Sequence, residues 1–97
     1  MDIDSFKASL EQNDPPEGAD RMLQAMWHEA KGDWDKAHKL AQSQDDETGA
    51  WVHAYLHRVE GDRSNAGYWY RRAGKPHASV GLKHEWDEIV RALCAGG

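Results

Sequence analysis

Three side chains on one predicted helix have the types and spacing of metal ligands. His53, His57 and Glu60 stand at positions i, i+4 and i+7, which a helix brings onto one face. Two imidazoles and a carboxylate are ligands that zinc and other divalent metals accept. The alternative is a solvated polar face opposite Trp51 and Tyr55, because three ligands on one straight helix rarely converge on one ion. The spacing therefore gives a metal-site hypothesis.

A basic cluster beside aromatic residues gives a second hypothesis, an anion site. The bases are Arg58, Arg71, Arg72 and Lys75, and the aromatic residues are Tyr68, Trp69 and Tyr70. Guanidinium groups beside rings bind phosphates or carboxylates through paired hydrogen bonds and stacking. The alternative is internal pairing of these bases with the acidic segment 2–20, or with Glu60 and Asp62.

A third set of residues has the composition of a protein interface, where aromatic side chains and arginine are enriched. Its members are Trp51, Tyr55, Arg58, Trp69, Tyr70 and Arg72. The competing interpretation assigns most of these rings to the core, because the chain has few aliphatic side chains. The set predicts a small protein-interaction module for an unidentified protein or peptide, and leftover apolar area would join two copies into a homodimer.

No sequence motif indicates catalysis or a cofactor. The chain has no glycine-rich phosphate loop, no serine elbow and no cysteine–histidine pair with the context of a nucleophile. His57 with Glu60 or Asp62 could form an acid–base pair, but such pairs occur by chance in a helical chain with six histidines. The single cysteine, Cys94, follows Leu93 in a helical pattern and is predicted to be structural. We expect a protein that is not an enzyme and that needs no cofactor.

Charge and hydropathy exclude two further classes of partner. The 97 residues include 12 Lys and Arg against 17 Asp and Glu, and the formal net charge of −5 is the wrong sign for neutralising phosphates of a nucleic acid. No run approaches the ~18 apolar residues of a membrane span. The first four residues have neither the basic region nor the apolar core of an export signal. A cytoplasmic protein is therefore expected.

Apolar spacing, together with glycine, proline and capping signals, predicts six helices. Five of them run from Ile3 to Gln12, Ala19 to Lys31, Trp34 to Ser43, Glu47 to Glu60 and Leu82 to Ala95. The fifth helix in chain order begins just after Asp62 and ends at Ala73. Each of the second to sixth helices has one tryptophan, and several of these rings face alanines. Large rings packed on small residues would give a thin core, so the prediction is an all-α fold.

An internal repeat relates the second and third helices to the fourth and fifth. The dipeptides Gly32-Asp33 and Gly61-Asp62 lie 29 residues apart, and the same offset superposes His28 on His57. It also superposes Ala25 on Ala54 and Ala37 on Ala66. Each unit is predicted to be a helical hairpin that cannot bury its apolar face alone. The chain is thus one domain, 1–97, with an N-terminal helix and acidic linker (1–18), two hairpins (19–76) and a C-terminal capping helix (77–97).

The segment Ala66–Gly74 reads Ala-Gly-Tyr-Trp-Tyr-Arg-Arg-Ala-Gly and resembles the second helix of the SEL-like variant of the tetratricopeptide repeat. The resemblance covers 19–76 and departs from the family pattern where Gln24, His53 and His57 stand in place of apolar residues. The whole chain is also similar to small uncharacterised bacterial proteins that contain the run Trp51–Arg58, a similarity that implies no activity.

The tetratricopeptide resemblance implies two stacked hairpins with flanking helices and, by analogy, a protein-interaction role. In that family the first helix of each hairpin lines a concave groove. The groove residues implied here are Met22, Met26, Trp51, Tyr55 and Arg58.

Overall fold

A computed structural model describes residues 1–96 of the chain and contains six α-helices. They are α1 (Ile3–Ala8), α2 (Arg21–Ala30), α3 (Trp34–Gln42), α4 (Glu47–Val59), α5 (Arg63–Ala73) and α6 (Leu82–Gly96). The all-α prediction of about six helices is confirmed. Among these six helices, none combines the length and the apolar character that crossing a membrane requires.

The first two helices are shorter than predicted, and local hydrogen bonds explain why. After Ala8 the chain forms a single 3₁₀ turn, a common way for an α-helix to end. The Ser9 hydroxyl there donates to the Phe6 carbonyl at 2.5 Å and accepts the Trp27 indole N–H at 3.1 Å. The second helix begins at Arg21 rather than Ala19 because Asp20 is its N-cap.

Aspartate caps the N-terminus of each of the first five helices. In every case its carboxylate accepts the backbone N–H three residues further on, at 2.7–3.2 Å. The caps are Asp2, Asp20, Asp33, Asp46 and Asp62. Each such cap stabilises its helix by about 1 kcal/mol, so part of the acidic composition is structural.

The repeated Gly-Asp dipeptide forms the same turn twice. Gly32 and Gly61 have φ of 91° and 86°, left-handed values that residues with a Cβ rarely adopt. The next N–H, of Asp33 or Asp62, donates to the carbonyl five residues earlier at 2.8 and 2.9 Å respectively. This is the Schellman helix ending, and it lets one residue terminate a helix while the following one caps the next.

The helices pack as two hairpins with the terminal helices laid across them. The first hairpin pairs α2 with α3, the second pairs α4 with α5, and α3 also lies against α4. Helix α6 packs on α2 and α4, and α1 packs on α6. Trp86 and Ile89 of α6 are buried in one core with Met22, Met26 and Tyr55. The face that the resemblance assigned to a concave groove is therefore largely occupied by the chain's own helix.

The tryptophans divide between core and rim. Trp27 and Trp86 are 2% and 8% exposed, whereas Trp34, Trp51 and Trp69 are half-buried. Alanines beside them lie in the interior with almost no exposed surface: Ala25, Ala37, Ala41, Ala54 and Ala66. Small side chains allow the helices of each hairpin to approach closely, and the half-buried rings pack against the buried residues at their edges.

Candidate metal centre

Three histidines from two helices meet where α3 lies against α4. His38 comes from α3, and His53 and His57 lie one turn apart on α4. The Nε2 atoms of His38 and His53 are 3.0 Å apart, and one ring nitrogen from each of the three histidines lies within 4.8 Å of the other two. Two nitrogen ligands of a tetrahedral zinc ion, each bonded at ~2.05 Å, are ~3.3 Å apart. The His38–His53 pair therefore has nearly the spacing of two zinc ligands, and the His57 nitrogen lies within 4.8 Å of both.

Aromatic stacking fixes the orientation of these imidazoles. Trp34, one turn before His38 on α3, stacks on that ring with a centroid distance of 4.7 Å. Trp69 of α5 stacks on His53 at 3.8 Å, and His53 in turn stacks on His57 at 4.8 Å. His53 and His57 are only 4% and 7% exposed. The half-buried tryptophans thus hold the histidine rings in place from both sides.

Glu60 contacts the cluster from behind His57. Its carboxylate Oε2 lies 2.6 Å from Nδ1 of that ring. If Nδ1 carries the proton and donates it to Glu60, the Nε2 lone pair of His57 is free. A carboxylate that orients a histidine in this way is the usual support of a metal-bound imidazole.

The predicted trio and the observed cluster differ in one member. In the structure, possible ligand atoms of His38, His53 and His57 lie within 4.8 Å of one another, and the same holds separately for His57, Glu60 and Asp62. Among the described residues, Glu60 is thus close to His57 but does not form such a group with His53. His38 is not among the predicted ligands, and its position on α3 between the buried residues Ala37 and Ala41 is its one signal in the sequence. Nothing in the local sequence shows that this part of α3 faces His53.

Without a metal, His38 and His53 are neutral imidazoles at neutral pH. Burial, reinforced by the neighbouring His38 and His57, lowers the pKa of His53 to about 4. Burial, with a smaller contribution from His57, also lowers the pKa of His38. At neutral pH one of the two Nε2 atoms can then donate a hydrogen bond to the other.

The basic cluster divides into residues used inside the fold and residues at its surface. Arg58 donates to the carboxylate of Glu85 at 2.8 Å and to the carbonyl of Val80. Because Glu85 is 2% exposed, this pair forms part of the packing between α4 and α6. The ammonium of Lys75 lies 4.1 Å from the ring centroid of Trp51.

The other two arginines of this cluster are exposed on α5. Arg72 lies 3.4 Å from the carboxylate of Asp45, and its guanidinium covers the rings of Trp69 and Tyr68 at 5.2 and 6.0 Å. The acids that pair with the cluster are thus Glu85 and Asp45, and not those of segment 2–20 or Glu60 and Asp62. Arg71 remains exposed on the same helix.

The six residues predicted to form a partner surface do not share one face. Tyr55 and Tyr70 are 3% and 1% exposed, and burial raises the pKa of both hydroxyls. The Tyr70 hydroxyl donates to Glu85 at 2.5 Å, which places this ring in the interior. Trp51, Arg58 and Trp69 are half-buried and Arg72 is exposed. A residue outside the set, Tyr68, is 44% exposed.

No family model, curated protein or solved structure matches this chain. The resemblance to tetratricopeptide repeats therefore stays a prediction, based on residues 66–74 and on the repeated hairpin.

Proposed function

We propose that the protein binds a divalent metal ion of the zinc class through His38, His53 and His57. The observation that carries this proposal is the approach of three ring nitrogens from α3 and α4 to within 4.8 Å of one another. Imidazole nitrogen is a preferred ligand of zinc and of the neighbouring transition metals, whereas calcium and magnesium prefer oxygen.

Two ligands are nearly in place, and the His57 nitrogen, within 4.8 Å of the other two, would have to approach them by up to about 1.5 Å. The 3.0 Å between the Nε2 atoms of His38 and His53 is a few tenths of an ångström shorter than the ~3.3 Å of a tetrahedral site. A metal ion would replace the proton between these two nitrogens, and each ring would then carry its proton on Nδ1. Stacking on Trp34 and Trp69 keeps the ring planes fixed during this exchange.

The acids near His57 favour a cation at this position. Three neutral imidazoles leave the charge of a divalent ion uncompensated, and the carboxylates of Glu60 and Asp62 lie close to His57. Glu60 also supports His57 directly, at 2.6 Å from Nδ1. The competing interpretation is a purely structural cluster held by stacking and one imidazole hydrogen bond, and it predicts no metal affinity.

Zinc titration of the untagged, chelator-stripped protein distinguishes these interpretations. We expect calorimetry to show one ion per chain, and we expect the melting temperature to rise, because zinc at 100 times its Kd adds about 2.7 kcal/mol to the free energy of unfolding. We expect His38→Gln to abolish high-affinity binding. Glu60→Gln should weaken binding by roughly 10–100-fold, because it removes only the support of His57.

His84→Gln is the matched control for this titration. The His84 side chain is 67% exposed on α6, where it lies 3.2 Å from Glu88, and its replacement should leave zinc affinity unchanged. Wild-type protein that binds no zinc would overturn the proposal. Wild-type affinity in the His38→Gln variant would also overturn it, because binding would then occur elsewhere.

The protein-interaction module remains a second candidate function, now with a smaller surface. The observation that favours it is the stack on the outer face of α5, where the Arg72 guanidinium lies over the exposed ring of Tyr68 and the half-buried ring of Trp69. Such a combination of arginine and aromatic rings is typical of protein contact sites. The occupant we infer for this surface is a second copy of the chain.

A further inference from the structure

A cavity of about 510 Å³, separate from the histidine cluster, opens beside α2, α4 and α6. Its volume lies within the range of small-molecule sites. Its walls are formed by Leu10, Glu29, Ala30, Tyr55, Leu82 and Trp86. The walls are thus mainly apolar. The charged side chains that also line the cavity are Lys7, Glu29, Lys83 and Asp87, and of these Lys7 and Asp87 pair with each other.

The carboxylate of Glu29 is the unusual feature of this cavity. Its one protein hydrogen bond is a long one, 3.4 Å from the hydroxyl of Tyr55. Within residues 1–96, no lysine, arginine or histidine nitrogen lies within 4.0 Å of it. Lys7, which also lines the cavity, pairs instead with Asp87 at 3.1 Å. Burial raises the pKa of Glu29, as expected for a carboxylate without a cationic partner.

The rings of the cavity offer apolar surface and little hydrogen bonding. The indole N–H of Trp86 already donates to the carbonyl of Met26 at 3.2 Å, so this side chain presents only ring surface. Leu82 is 40% exposed at the cavity, a high value for a leucine. A ligand that fits must therefore have an apolar body and a group that satisfies the carboxylate of Glu29.

We propose that this cavity binds a small primary ammonium compound with an aromatic body, whose ammonium group pairs with Glu29 while its ring packs between Tyr55, Leu82 and Trp86. A carboxylate-bearing ligand of the same shape would leave Glu29 without a cation and would pair instead with Lys83, which also lines the cavity. A neutral ligand would bury that carboxylate without a partner, which is unfavourable. Aromatic rings close to the ammonium add a favourable cation–π contribution.

Three small molecules of similar shape but different charge test the proposal. The protein is first treated with a chelator, so that no bound metal can coordinate the amine. The probes are 2-phenylethylammonium, 2-phenylethanol and phenylacetate, titrated while the indole N–H signal of Trp86 is followed by NMR. We expect the ammonium compound to bind about tenfold more tightly than either of the other two. Equal binding of 2-phenylethanol, or tighter binding of phenylacetate, would overturn the ammonium assignment.

Variants then identify the pairing group. Glu29→Gln keeps the shape of the side chain and should weaken ammonium binding about tenfold without changing binding of 2-phenylethanol. Glu88→Gln, on the exposed side of α6, is the matched control and should bind as the wild type does. Unchanged ammonium binding in Glu29→Gln would overturn the role of Glu29. If that variant fails to fold, the comparison of the three molecules on the wild-type protein still decides.

Discussion

Buried Glu85 and half-buried Glu29 differ in how well the charges of their carboxylates are compensated. Glu85, 2% exposed, has the guanidinium of Arg58 at 2.8 Å and the hydroxyl of Tyr70 at 2.5 Å, so each carboxylate oxygen has a partner. Glu29 has only the distant hydroxyl of Tyr55. Compensation decides whether a buried charge holds the fold together or destabilises it. At the scale of single residues, Glu85 is thus structural and Glu29 is available to a ligand.

The stability of the fold should depend on the protonation of Glu29. Its folded-state pKa lies above the unfolded value of ~4.3, so the folded chain binds more protons and wild-type stability gains as the pH falls through that folded pKa. Glu29→Gln lacks this dependence. We expect the variant to be more stable than the wild type at about pH 7 and to lose that advantage below about pH 4.

Urea unfolding of both proteins across this pH range measures the effect. The other charges at the cavity, those of Lys7, Lys83 and Asp87, are the same in both proteins. A stability difference that stays constant with pH would show that the pKa of Glu29 is not raised in the folded state.

At the scale of elements, side-chain bonds between helices determine how α6 is held. Its N-terminal half is attached through Glu85 to Arg58 of α4 and Tyr70 of α5, and through the Trp86 indole to the carbonyl of Met26 in α2. The irregular link before it is held where Arg58 donates to the carbonyl of Val80. Arg58 therefore connects α4 to both α6 and the segment that leads to it.

Arg58→Ala should destabilise the protein strongly, by about 3 kcal/mol, because it leaves the buried carboxylate of Glu85 without its cation. Arg71→Ala, a change of the same type on the exposed face of α5, should alter stability by no more than about 0.5 kcal/mol. Chemical denaturation of the two variants gives the comparison. Equal stabilities would mean that Glu85 is not held as the structure indicates.

At the scale of the whole molecule, α6 covers the face that stacked hairpins would otherwise expose. Large apolar side chains that remain exposed are few among the described residues: Met1, Tyr68, Val80 and Leu82, between 37% and 48% exposed. Tyr68 is the one that has an arginine over its ring. Any contact with another chain should therefore centre on the outer face of α5.

Light scattering after gel filtration tests this self-association. We expect a mass above that of one chain at high protein concentration, reduced to one chain by Tyr68→Ser combined with Arg72→Ser, because this pair forms the exposed stack. Val80→Ser removes a side chain of similar exposure elsewhere and should leave the mass unchanged. A single-chain mass at every concentration would exclude the homodimer.

Helix positions could be predicted because their signals are local. The Gly61-Asp62 dipeptide ends one helix and caps the next through bonds within five residues, and Asp46 caps α4 through the N–H of Gly49.

The histidine site could be predicted only in part. His53, His57 and Glu60 lie within about two turns at the end of α4, so their spacing is visible in the sequence. His38, in contrast, lies 15 residues from its partner His53.

The sequence by itself determined the six helices and the low aliphatic content that makes rings pack on alanines, because the helices depend on periodicity and on contacts between near neighbours. Only the tertiary structure decided which faces meet. Packing of α3 on α4 brought His38 to His53, and packing of α6 on α2 and α4 buried Tyr55 and filled the expected groove. Which helix faces pack together depends on side chains far apart in the chain, so it cannot be predicted from the local sequence.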